Sequence, residues 1–208
     1  MLGRFLADEV DRAGAIAPLK ARRLVKPMQL TRHPASPRSP VDSIGVVANR
    51  LRGGGLSLVF AVTGDISRLR LPISGGGVRR DGLWRHSCFE AFVRLPKRND
   101  YLELNLSPSG DWAAYRFDGY RNGMASVEFS PPSIRCETAG DQLGVVAGMD
   151  FADLEPFNSD ETWQAGLSAV IEADDGSLSY WALVHPPGAA DFHHPDCFVL
   201  ELPPAGEP

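Results

Sequence analysis

Cysteine is scarce in this 208-residue chain: Cys88, Cys136 and Cys197 are odd in number and widely spaced. They make no paired disulfide framework, so the expectation is reduced thiols in a bacterial-type cytoplasm. Long apolar runs are missing too; none approaches the roughly 20 residues that a membrane helix needs. Arg4, Asp8 and Glu9 interrupt the first residues before the apolar region of an export signal can form. Basic excess is confined to residues 1–38, where eight Lys/Arg face three Asp/Glu. That segment is +5, and the net −5 of the chain leaves −10 for the rest. An acidic body repels phosphate backbones, which argues against nucleic acid as a partner. Catalytic signatures are absent as well. The runs Gly53-Gly54-Gly55 and Gly75-Gly76-Gly77 lack the Lys-Ser/Thr ending of a phosphate loop, and no nucleophile elbow appears.

What the chain does have is the material of one domain rich in turns. Apolar residues make up 43% and charged residues 23%, with 21 Gly and 17 Pro, as short strands joined by many turns require. Residues 1–27 read as an appendage, helical or disordered, such as a mis-assigned start would produce. Within it, residues 2–13 carry Leu2, Phe5, Leu6 and Val10 at the spacing of a short helix. Residues 14–40 mix basic residues with five prolines, an extended lead-in. The domain proper is read as 28–208. From residue 43 the apolar pattern has period 2, predicting strands at 43–51, 56–64, 88–95, 101–108, 112–118, 125–130, 142–150, 162–172, 178–185 and 196–202. No helical pattern of useful length separates them. The expected fold class is all-β, an antiparallel β-sandwich of immunoglobulin-like architecture with a short N-terminal helix or irregular lead-in.

Residues 88–107 are the most informative. Phe89, Ala91, Val93 and Leu95 alternate with Cys88, Glu90, Phe92 and Arg94; Leu102, Leu104 and Leu106 alternate with Tyr101, Glu103, Asn105 and Ser107. The loop 96–100 is short enough to make the two runs hairpin neighbours. One residue of slip would send every apolar side chain to the wrong side, so the leucine row must share a face with Phe89. Glu90 then lies with Tyr101, Glu103, Asn105 and Ser107. Trp84, Phe92, Trp112, Tyr115, Arg116 and Tyr120 fall in the same stretch. Rings that stack on apolar ring faces, beside carboxylates and amides that fix hydroxyls, suit a sugar-like ligand. The plain alternative is the wet side of a half-solvated sheet.

Three blocks carry a family resemblance. Leu83-Trp84-Arg85-His86-Ser87-Cys88-Phe89-Glu90-Ala91-Phe92 resembles the "W…(T/C)-x-E-x-F" signature of the DOMON-like proteins related to family 9 carbohydrate-binding modules. Tyr101 through Trp112 is similar to the "Y-x-E-x-N-x-S-P-x-G" block that follows in that family. Ser179-Tyr180-Trp181-Ala182-Leu183 through Asp191-Phe192-His193-His194 resembles its closing block. Together the blocks cover roughly residues 30–202. The resemblance implies an antiparallel sandwich and binding rather than turnover, since related families bind sugars or hold a haem between Met and His or Lys.

The expected function is therefore a non-catalytic cytoplasmic module for a carbohydrate or similarly polyhydroxylated ligand. Trp84, Trp112 and Tyr120 are its expected stacking planes, and Glu90, Asn105 and Arg116 its hydrogen-bonding groups. Tyr101, Glu103 and Trp181 complete the expected binding set. No membrane or nucleic-acid partner is expected. His185, Asp191 and His193 are close enough in sequence to suggest a metal, but no recognised zinc spacing is present and none is expected. Met124, Met149, His86 and His185 are the residues a haem would need. Neither haem nor calcium is expected. Two alternatives stay open: a glycoside-processing enzyme using Glu90 and Glu103, and a protein-interaction domain without a small ligand.

Overall fold

Alternating apolar side chains need a face to bury, and here two layers of antiparallel strands supply it to each other. The computed structural model describes residues 27–72 and 75–206. One layer runs β8(Ser133–Ala139), β9(Gln142–Asp150), β3(Gly55–Gly64), β2(Val41–Arg50) and β1(Met28–Arg32). The other runs β7(Ala125–Ser126), β6(Trp112–Phe117), β5(Tyr101–Leu106), β4(Cys88–Arg94), β10(Trp163–Glu172) and β11(Leu178–Ala182), with β12(Leu200–Leu202) also on β10. All strand pairs are antiparallel. β1 belongs to both layers. Met28–Leu30 pair with β2, and Thr31 and Arg32 pair with β11, so one sheet curls over on itself into the expected sandwich.

The core lies between the layers. Leu56, Leu58, Phe60 and Val62 of β3 point inward, toward Phe89, Ala91 and Val93 of β4 and the leucine row of β5. Rings of Phe60 and Phe89 meet with centroids 4.8 Å apart. Each buried Val, Leu or Phe among them contributes about 1.5–3 kcal/mol.

The outer face of the second layer is buried as well. Every residue of β5, and every residue of β4 except Arg94, is buried. A second apolar cluster, including Phe92, Tyr101, Phe117 and Val170 of the strands, is capped by Leu83, Phe192 and Phe198 from connecting segments. The wet-sheet alternative is thereby corrected: loops roof this face.

Two strands lie outside the sequence-based expectations. β1 is five residues with Gln29, Thr31 and Arg32 among them, too polar and short to show a period. β8 is an edge strand paired only with β9, so its side chains stay largely exposed and its pattern weak. Several expected strands end early, 178–185 at Ala182 and 101–108 at Leu106, and two shrink to two or three residues. Residues 125–130 pair only at Ala125–Ser126, before Pro131, and 196–202 only at Leu200–Leu202, because Pro195–Cys197 form a single 3-10 turn. The expected helix at 2–13, and the appendage apart from residue 27, lie outside the described residues.

Candidate functional site

Register places the polar groups. Phe89 faces Leu106, Glu90 faces Asn105 and Phe92 faces Glu103 across β4 and β5, as the leucine parity requires. On the other side of β4, Ser168 of β10 faces Glu90. Glu90 and Glu103 are therefore diagonal neighbours on the outer face, about 7–8 Å apart at the backbone. Ser168 Oγ donates to Glu90 Oε2 at 3.0 Å, and Asn105 Nδ2 donates to Glu103 Oε1 at 2.7 Å.

Two connecting segments close over these groups. A tight turn at 118–123 puts Arg121 in the left-handed region (φ 51°) with Gly123 behind it (φ 69°). The Arg121 side chain then reaches Asp191 Oδ1 through Nη2 (2.8 Å) and Nε (3.2 Å). Tyr120 donates its hydroxyl to Asp191 Oδ2, and the His193 amide donates to Oδ1. Asp191 thus fastens the C-terminal segment to the turn. Tyr101 Oη accepts from the Arg121 amide and lies 2.8 Å from His193 Nδ1. The other ring nitrogen of His193, Nε2, lies 3.8 Å from Glu103 Oε2.

Between strands and roof lies a cavity of about 370 Å³. Glu90, Glu103, Arg121 and His193 supply its polar lining. Trp84, Phe92, Phe117, Tyr180 and Phe192 supply aromatic walls, with Met124, Val170 and Ala190 completing it.

Burial sets the charges. Desolvation, then the charge of Glu103, pushes the Glu90 carboxyl from its ordinary 4.5 up to about 8, so it is protonated at neutral pH. Desolvation also raises Glu103, against the Asn105 hydrogen bond and the Arg121 charge. Burial and Arg121 bring His193 down to about 4, leaving it neutral. Two carboxyl groups, Glu90 protonated at neutral pH and Glu103 raised from its ordinary value, therefore face the same space.

The fold has a solved counterpart. The crystal structure of a candidate carbohydrate-binding protein from Bacteroides uniformis ATCC 8492 aligns with a TM-score of 0.60 at 15% identity, over 85% of each chain. At that identity the likeness shows the fold alone. No family model matches the chain, and no curated protein matches it by sequence.

Of the expected binding residues, Trp84, Glu90 and Glu103 line the cavity. Asn105 and Tyr101 are buried beneath it, positioning Glu103 and His193. Four expected residues are corrected. Trp112 pairs with Leu106 and Trp181 with Ala169, so both rings turn into the inter-sheet core. Arg116 pairs with Leu102, on that same opposite side, and contacts the Glu155 carbonyl and Asp100. Tyr120 is 52% exposed and holds Asp191 from outside the cavity.

Asp191 and His193 are used in the roof, whereas His185 lies elsewhere, bonded to the Thr31 carbonyl. Among the described residues no three His, Cys, Asp or Glu gather as a metal set. Of the residues considered for haem, Met149 is in the core, the exposed His86 reaches the buried Glu172 and Met124 sits at the cavity rim. Sequence reading passed over Tyr180, Arg121 and Phe192. Tyr180 was within reach, because it neighbours Trp181 and must take the opposite face. Arg121 follows an ordinary turn signal with nothing local to mark it.

Proposed function

We propose that this protein is a non-catalytic binding module whose ligand, a carbohydrate or similarly polyhydroxylated molecule, occupies the cavity over Glu90 and Glu103. The observation that carries this reading is the roofed outer face, a half-open space with acid groups at its floor and aromatic rings around it. Its volume of about 370 Å³ falls in the roughly 300–1,000 Å³ range of small-ligand pockets. A pyranose asks for both features, hydrogen bonds at its rim and apolar contact on its faces. Trp84 and Tyr180 serve as stacking planes, Glu90 as donor, Glu103 as acceptor. The resemblance to DOMON-like proteins and the description of the Bacteroides counterpart support the same ligand class.

A second reading rests on one observation. A protonated Glu90 beside Glu103 in one cavity is the division of labour that glycoside hydrolysis uses. Calorimetric titration with a panel of mono- and oligosaccharides, followed by product analysis, separates the readings. Saturable heat without product supports the module. Product formation establishes the hydrolase, and neither heat nor product leaves an interaction domain.

A further inference from the structure

Charge inside the cavity is uneven, and the inference drawn from this rests on the cavity being the ligand site. Glu90 and Glu103 are 2% and 4% exposed. Their hydrogen-bond donors, the Ser168 hydroxyl and the Asn105 amide, are neutral. The cations nearby are engaged or discharged: Arg121 is held by Asp191, and His193 is neutral beneath the Tyr101 hydroxyl. Other titratable groups on the strands packed around the pair supply no positive charge. Cys88 adjoins Glu90 on β4, and its thiol is raised by burial; Tyr101 and Tyr115 flank Glu103 with hydroxyls raised by desolvation. On β10, Glu172 is matched by Arg70 and His86 at its own end of the strand.

The walls thus hold two buried carboxyl groups whose neighbouring cation, Arg121, is already held by Asp191, an arrangement that is costly wherever one of them ionises. Aromatic rings line the same space, and the face of such a ring attracts positive charge through its quadrupole. Hydroxyl groups alone would satisfy the lone pairs of the two acids and leave any negative charge on them unanswered. A cation answers both acids and rings at once. We propose that the ligand is a hydroxylated organic ammonium, the class to which amino sugars belong, with its nitrogen beside Glu90 and Glu103 and its carbon frame against Trp84 and Tyr180.

Titration calorimetry on the full chain tests this with glucosamine, glucose, N-acetylglucosamine and choline, below the pKa of the glucosamine amine. Glucosamine should bind roughly tenfold or more tighter than glucose or N-acetylglucosamine, which share its ring without its charge. Glu103→Gln, its fold checked by a thermal melt, should erase most of that preference. If Glu103→Gln does not fold, the wild-type chain gives the same answer through choline, whose charge is fixed. Its affinity should rise as pH rises through about 8, where Glu90 ionises, and a flat profile counts against the proposal. Glucose binding as tightly as glucosamine overturns the cationic ligand and leaves the sugar-binding reading standing. Choline binding while no sugar binds supports the cation and overturns the sugar. Binding of none of the four overturns both.

Discussion

Replacing Glu90 by Gln should stabilise the protein at neutral pH, although it removes a buried hydrogen-bonded group. The unfolded carboxyl releases its proton near 4.5, whereas the folded one holds it to about 8. Between those values the native state binds more protons than the unfolded state, so stability falls as pH rises, by up to about 1.4 kcal/mol per unit. Across the whole window the loss is on the order of 5 kcal/mol, and most of it has occurred by pH 7. Glu103 is raised in the same direction and adds to the slope. Gln is close to an isostere of the protonated acid and does not titrate. Its amide must still accept from Ser168 and places an extra N–H in the cavity, an offset of about 1 kcal/mol. The expected result is Glu90→Gln roughly 1–3 kcal/mol more stable than wild type at pH 7, with the two converging near pH 4.5. Chemical denaturation across this range measures it. A wild-type stability that stays level from pH 5 to 8, or a variant weaker than wild type at pH 7, would refute the buried-acid argument.

Trp112→Ala should cost about 3–5 kcal/mol of stability, since the ring fills the inter-sheet core, with no ligand-specific effect in chains kept folded. Lost binding in a fully stable variant would put Trp112 back in the site. Trp84→Ala should do the reverse, lowering sugar affinity about tenfold by titration while the melting temperature moves little, because the ring is only half-buried at the cavity wall. Asp191→Asn should loosen the roof. Hydrogen exchange across 118–124 should speed up, and the freed Arg121 should turn toward Glu103 and weaken cation binding. Unchanged exchange would show that Asp191 does not fasten the turn.

The β4–β5 floor was legible because period-2 alternation is a local signal and a short loop fixes the pairing. The same parity carried across the turn at Pro108–Asp111 places Trp112 and Ala114 with the leucines, so Trp112 was misread where the information existed. For Trp181 against Tyr180 the alternation marks opposite faces but not which is outer. That depends on Ala169 and Val170 of the neighbouring strand. Arg121, Asp191 and Phe192 converge from segments some 70 residues apart, by contacts with no periodicity to announce them. Loop convergence of this kind is physical information that only the folded chain contains.

The seam strand Met28–Arg32 has a kinetic consequence. Arg32 finds Trp181 about 150 positions later in the chain, and that pairing is what joins the two layers. A nascent chain has to wait for β11 before its first strand can be zipped on both sides. Until then two open edges are on offer, to each other or to a second molecule. Folding should thus be slow and sensitive to concentration, with Met28–Arg32 among the last backbone amides to gain protection.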